Sequence, residues 1–315
     1  MVGERQAGTR TWRRGGRGWA ARLSSLVALV AALSLGLTGL AGAAGASQSH
    51  GKKSPLYNKL PAKVKSAGKI VDYVEPTFPP MEMGGATGSA LTGIDVELAR
   101  ATAKAIGIKL DIVTVQTFAE LFPALTTGRA DMVWSGIFDS PTRFKLDTFD
   151  DYFKTGTQLY IPTSEASTYK KVSQLCGHTV AGETATLYQG NLTAAFKKIC
   201  PAGKSLSFVN LSGIAQQNLA MQQNRAQVAV AGPESVDYLQ KTTPGKYQAF
   251  GKTFYPTYYG VVFSNNAFGK KLEKVVRAGL EKIIKNGTYM KILKRFDVQK
   301  QAVKKITIDK GTTQP

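Results

Sequence analysis

From Lys69 onward, short apolar strands alternate with amphipathic helices, and this alternation predicts an α/β fold with a largely parallel sheet. Three observations carry the prediction. Ile94, Leu98, Ala101 and Ala105 recur at helical spacing over Ile94–Ile106, and Gly107 stands where a helix stops in the left-handed conformation. Residues 108–115 alternate as a half-buried strand does. The same rhythm then begins again near Gln158, so two such units follow one another in one chain.

The remaining elements follow in order. Residues 1–46 read as a secretory signal peptide. Arg5, Arg10, Arg13, Arg14, Arg17 and Arg22 form a positive start, 23–40 are apolar, and 41–46 offer small-x-small cleavage sites. Residues 47–68, rich in Ser, Gly and Lys, are expected to be a flexible leader. Lys69–Val74 is a strand, Phe118, Leu121, Phe122 and Leu125 mark a helix ended by Gly128, and 130–137 is the next strand. The second unit offers strands at 158–162, 179–181, 205–209 and 228–230, with helices at 187–199 and 214–223. After a strand at 259–264, Leu272, Val275, Val276, Leu280, Ile283 and Ile284 form one helix face, broken by Asn286-Gly287. Tyr289, Ile292, Leu293 and Phe296 line a last helix, and 297–315, which lack a pattern, are expected to be a tail.

The formal charge is +20, and removing the leading 46 residues leaves about +15. Such a charge raises the question of nucleic acid or a membrane surface. The Lys residues are scattered at helical spacing rather than gathered in an aromatic-interleaved patch, which argues against nucleic acid. Two His and two Cys, with no CxxC or HxxxH spacing, give no metal-binding motif, and no cofactor motif occurs. In an exported chain the pair Cys176 and Cys200 reads as a disulfide, with two buried thiols or half a metal site as alternatives.

The run from Trp134 to Arg143 is the most informative stretch. Ser140-Pro141 reads as a helix start, which puts Arg143 in a first turn where a cation opposes the helix dipole. A guanidinium beside free backbone N–H groups is a receptor for a carboxylate.

The order of motifs resembles the bacterial solute-binding proteins of family 3, the polar amino-acid receptors of ATP-driven importers. The matching segments are 75–82 (EPTFPPME), 91–99 (LTGIDVELA), 118–125 (FAELFPAL), 128–131 (GRAD), 134–143 (WSGIFDSPTR), 175–180 (LCGHTV) and 286–289 (NGTY). The resemblance implies a type II, two-lobed, periplasmic-binding-protein-like fold with a ligand cleft and two hinge crossings. Lobe 1 would be 69–155 with 257–296, and lobe 2 would be 156–256.

It also implies roles. Arg143 would grip the ligand carboxylate, Phe78 and Phe118 would sandwich the ligand, and Ser135 and Gly136 would offer contacts from the same run. Phe138 stands where Ser or Thr is usual, so one hydroxyl is missing. In lobe 2, Thr184 and Thr186 resemble a turn that also holds the carboxylate, with Ala185 where Gly is expected. No Asp stands near Gly232 to take an ammonium, which leaves Glu75, Glu183 and Glu234 as substitutes. The implied function is an exported receptor at the periplasmic or extracellular face of the cytoplasmic membrane. It would act as a monomer without cofactor, delivering a small carboxylate-bearing solute to an ABC permease. The alternative is a cyclohexadienyl-dehydratase-like enzyme with Glu183 as general acid, but no nucleophile–base pair is visible.

Overall fold

The computed structural model describes residues 54–84, 90–143 and 146–311. The expected signal peptide and the start of the leader lie outside the described residues. The described residues open with helices α1 (Pro55–Lys59) and α2 (Ala62–Ala67), then strands β1 (Lys69–Val74), β2 (Thr77–Phe78) and β3 (Glu82–Met83). Helix α3 (Ile94–Ile106) leads to β4 (Lys109–Thr114), a 3₁₀ turn at Phe118–Glu120, α4 (Leu121–Thr126) and β5 (Met132–Val133). A long strand β6 (Asp147–Pro162) leads to β7 (Thr179–Glu183), α5 (Tyr188–Lys197), β8 (Ser207–Leu211), α6 (Gly213–Gln222), β9 (Val228–Ala231) and α7 (Pro233–Thr242). A second long strand, β10 (Tyr247–Ser264), returns to α8 (Ala267–Lys285), α9 (Thr288–Arg295) and β11 (Ala302–Ile308).

The main sheet runs β4-β1-β5-β10-β6-β9-β7-β8. Its outer thirds are parallel, β4-β1-β5 at one end and β9-β7-β8 at the other. Between them β6 and β10 pair antiparallel along nearly their whole length. Near its C-terminus β10 meets β5 through Val262, whereas β6 meets β9 through residues 158–160. Each long strand therefore belongs to both ends of the sheet, giving one lobe around β1 and another around β7. The β6/β10 ladder breaks register between Phe250 and Phe254 and again before Thr257, and Tyr255 has φ 45°. Those breaks interrupt the hydrogen-bond ladder where the chain passes from one lobe to the other.

Helix α3 spans the residues its periodicity predicts, and Gly107 caps it at φ 86°. Strand 130–137 does not form as expected, since only Met132–Val133 stay in the ladder. The Trp134 N–H donates to Asp72 Oδ1 (2.9 Å) and the Gly136 N–H to Asp95 Oδ2 (2.7 Å). Side-chain carboxylates thus replace the neighbouring strand, and Gly136 turns away at φ 51°. The helix expected at Ser140-Pro141 is absent as well. Residues 141–143 form a turn in which the Arg143 N–H donates to Ser140 O at 2.9 Å, and the Ser140 hydroxyl meets Thr142 Oγ1 instead of capping a helix. The dipole argument for Arg143 falls with that helix.

Residues 54–68 and 302–311 are more ordered than their composition suggests. Within the expected leader, Ser54 caps α1 and Gly68 ends α2 in the left-handed conformation. Leu60 and Val64, four residues apart, are fully buried in the main core. In the expected tail, β11 pairs with the start of β6, with Val303 and Ile306 inward and Lys304 and Lys305 outward. Such Lys-bearing edge strands have a pattern too short and too charged to read in isolation. The Thr307 hydroxyl and the Lys310 N–H donate to Asp151, and the Gly311 N–H donates to Asp139. Cys176 and Cys200 are disulfide-bonded with Cα atoms 5.5 Å apart, tying the loop before β7 to the end of α5.

Replacing Leu60 by Ala should cost about 2–4 kcal/mol in unfolding free energy, measured by denaturant titration, because its side chain fills the core beneath α8. A variant as stable as the wild type would return 54–68 to the status of a leader.

Candidate functional site

The cleft between the lobes is nearly closed, with a cavity of about 20 Å³ and walls from both. The first lobe contributes Glu75 after β1, Phe78 from β2, Phe118, and the stretch Ser135, Gly136, Phe138 and Arg143. The second contributes Glu183 at the end of β7 and Thr186, Leu187 and Tyr188 at the start of α5. Seven of the nine residues expected at the site therefore share one cavity, Thr184 and Glu234 being the two that do not.

Arg143 is held by its surroundings rather than by a carboxylate. Its Nη1 donates to Phe138 O (3.1 Å), and its guanidinium lies 4.6 Å from the Phe122 ring centre and 6.0 Å from that of Phe118. It makes no ion pair among the described residues. Burial lowers its pKa to about 10, so it remains a cation at neutral pH. Facing it, the first turn of α5 adds backbone N–H groups of the kind that receive anions. Phe118 joins the cluster of Leu121 and Leu125 while its ring reaches the cleft, so it serves core and wall together.

The loop 134–136 is fastened from behind. Asp95, in the first turn of α3, accepts from Gly136 N and from the Tyr152 hydroxyl (2.6 Å). Burial raises its pKa to about 6 despite those bonds. Beside it, burial and the charge of Asp95 push Glu82 well above the usual carboxylate range. Ser135 Oγ accepts from Glu75 N at 2.9 Å and so sets the start of the Glu75 turn. The Gly136 N–H is spent on Asp95 and is not available to a ligand. A Cβ at Gly136 would press on the Phe78 ring at 3.0 Å, so the aromatic wall relies on this glycine.

Three features could not be read from motif order. Phe138, the departure from the usual hydroxyl, stacks on Tyr259 (centroids 5.3 Å, 20°) and meets Tyr188 edge-on at 5.1 Å. An aromatic floor replaces the missing contact. Tyr188 was two residues beyond the Thr184–Thr186 turn, and its place at a helix start was the only signal for it. Thr184 faces outward, its hydroxyl donating to Leu211 O at 3.3 Å, and the Thr186 hydroxyl donates to Glu183 O at 2.8 Å.

Glu234 turns back beneath Gly232, where any Cβ would overlap its carboxylate. Both its oxygens are occupied, Oε1 by the Tyr259 hydroxyl (2.8 Å) and Oε2 by the Thr155 hydroxyl (2.9 Å). It lies in the first turn of α7, joined to the β6/β10 crossing, and burial raises its pKa to about 7.

The fold and cleft define a two-lobed solute receptor. The profile of the bacterial extracellular solute-binding proteins, family 3, matches residues 70–299, and the chain belongs to that family. It is 22% identical over 242 residues to the arginine-binding protein ArgT of Corynebacterium glutamicum, covering 76% of this chain and 78% of the other. It is 25% identical over 236 residues to the L-cystine-binding protein TcyA of Bacillus subtilis, covering 75% and 83%. Among solved structures, an ancestral arginine-binding protein bound to arginine matches with a TM-score of 0.63 at 25% identity, over 73% of this chain and 98% of that one. The ancestral amino-acid-binding protein AncCDT-1, a precursor of cyclohexadienyl dehydratase, matches with a TM-score of 0.64 at 23% identity, over 74% and 97%.

Two outcomes follow from this geometry. Gly213, the first residue of α6, has φ 72°, and a Cβ there would overlap the Thr77 hydroxyl of the other lobe. Gly213→Ala should lower stability by about 1–2 kcal/mol and weaken ligand binding at least tenfold by holding the lobes apart, as read by calorimetry.

Glu234 holds its proton more tightly folded than unfolded, so its contribution to stability is full below about pH 4.5 and declines as pH rises through about 7. Glu234→Gln removes the charge, and the two hydroxyls can turn to serve an amide. The variant should gain up to about 3 kcal/mol over the wild type at pH 8 and little at pH 4.5, measured by paired denaturant titrations. An equal difference at both pH values would contradict a buried titrating carboxyl.

Proposed function

We propose that this protein is the extracytoplasmic receptor of an ATP-driven importer and that it captures a polar amino acid, with Arg143 gripping the ligand carboxylate. The observation carrying this reading is a partly buried guanidinium that lines an interlobe cleft with the start of α5 and forms no ion pair among the described residues, although the charges of Asp147 and Asp139 act on it. Family membership and the arginine- and cystine-binding relatives support amino acids as the solute class.

In this reading lobe 1 comprises 69–155 and 257–296, extended by 54–68 and 302–311, and lobe 2 comprises 156–256. The register breaks between Phe250 and Thr257 are the hinge, and closure sandwiches the ligand between Phe78, Phe118 and the α5 turn. Export, by the leading 46 residues, agrees with the disulfide, which an oxidising compartment preserves. No described helix is long and apolar enough to cross a membrane. Delivery as a monomer to a membrane permease completes the role. The dehydratase reading has less behind it, since a likeness at 23% identity speaks to the fold alone.

Arg143→Ala should lose about 2–5 kcal/mol of amino-acid binding, because it leaves a buried ligand carboxylate unpaired. Its melting temperature should change little. Titration calorimetry across a panel of amino acids measures the first and a thermal melt the second. Undiminished affinity in this variant would remove Arg143 from the site.

A further inference from the structure

The cavity holds one cation and two carboxyl groups. Glu75 reaches it from the end of β1 and Glu183 from the end of β7, so the two acids belong to opposite lobes. They are 1% and 7% exposed. Each keeps one buried oxygen without a hydrogen-bond partner, Oε2 of Glu75 and Oε1 of Glu183. Neither forms an ion pair among the described residues. Burial raises the pKa of both, and the charge of Glu75 raises that of Glu183 further, so they sense each other across the cleft.

Their supports also cross between lobes. The Thr77 hydroxyl donates to Glu75 Oε1, and the Gly213 backbone N–H lies against Glu183 and partly offsets the rise in its pKa. Thr77 and Gly213 are themselves in contact, so the closed lobes bring both carboxyls to one edge of the cavity.

Glu234 cannot serve as the ammonium-binding acid from beneath Gly232, since both its oxygens are bonded within the fold. We infer that Glu183 takes the part of the acid missing near Gly232, holding a cationic group of the ligand between its carboxylate and that of Glu75. This rests on the amino-acid-receptor reading above. Either lobe alone holds only half of the cation site, so closing the cleft and engaging the cation are one event. A solute with a carboxylate but no cation leaves two buried carboxyls facing each other, and closure around it is disfavoured. Glu183 is thereby the residue that discriminates an amino acid from a carboxylate without a cation.

The test is calorimetry of the purified protein with L-arginine, L-glutamine and glutarate, on wild type, Glu183→Gln, Glu183→Asp and Arg143→Ala. Glu183→Gln should weaken the amino acids roughly 10- to 100-fold, as loss of a charged hydrogen-bond partner does, and should bind glutarate at least as well as the wild type. Glu183→Asp should recover part of the loss. Unchanged amino-acid affinity in Glu183→Gln, or an equal loss for glutarate, overturns this inference while loss in Arg143→Ala leaves the parent reading standing. A wild type that binds no member of the amino-acid panel overturns both.

Discussion

The site depends on two carboxylates that never reach it. Asp72 and Asp95 take the N–H groups of Trp134 and Gly136, which in a regular sheet would have gone to a neighbouring strand. Buried N–H groups must be satisfied, and a side-chain carboxyl oxygen satisfies them as a strand carbonyl would. The strand therefore ends after Val133, and the chain turns across the mouth of the first lobe carrying Ser135, Gly136, Phe138 and Arg143 with it. Asp95 can remain charged there because the first turn of α3 and the Tyr152 hydroxyl both favour its anion. Trp134, fully buried against Tyr152, anchors the point of departure.

The second constraint is that two strands are shared by two lobes. β6 and β10 give each lobe part of its sheet, and the register breaks interrupt the ladder between the lobes. The cavity then collects charges from both sides. Arg143 comes from the first lobe without an ion pair among the described residues, and the two acids come one from each lobe. A low-dielectric cleft with unmatched charges of both signs is a template for a ligand carrying their complements. Beneath it the rings of Phe138, Tyr259 and Phe153 lie close to parallel and wall off the hinge, and Glu234 is bonded to Tyr259 on the far side of that stack.

Some of this was legible in the sequence for definite reasons. Helix α3 has a continuous 3.6-residue apolar stripe and a glycine stop, and both survive in the structure unchanged. Arg143, Phe78 and Phe118 stood at recognisable places in an ordered set of motifs, and they do converge. Arg143 is not a cation at a helix start, because no helix starts there. Its position came from motif order, whereas its surroundings come from the turn at 141–143 and from the Phe118 and Phe122 rings. Leu60, Val64, Val303 and Ile306 were hidden among lysines, since two apolar residues do not make a period.

By itself the chain of residues determined the strand–helix alternation and the run that carries Arg143, its ordered motifs implied the two-lobed fold by resemblance, and its two cysteines offered a pair. These are local or ordered along the chain, and local pattern suffices for them. Only the tertiary structure decided which of three glutamates face the cleft. Glu75, Glu183 and Glu234 are alike in sequence, but the absence of a side chain at Gly232 lets Glu234 fold back onto Tyr259 and Thr155. Glu75 and Glu183 are brought together from positions more than a hundred residues apart, each left with an oxygen unbonded. Whether an acid is spent inside the fold or kept for a ligand depends on long-range neighbours, which spacing along a chain does not encode.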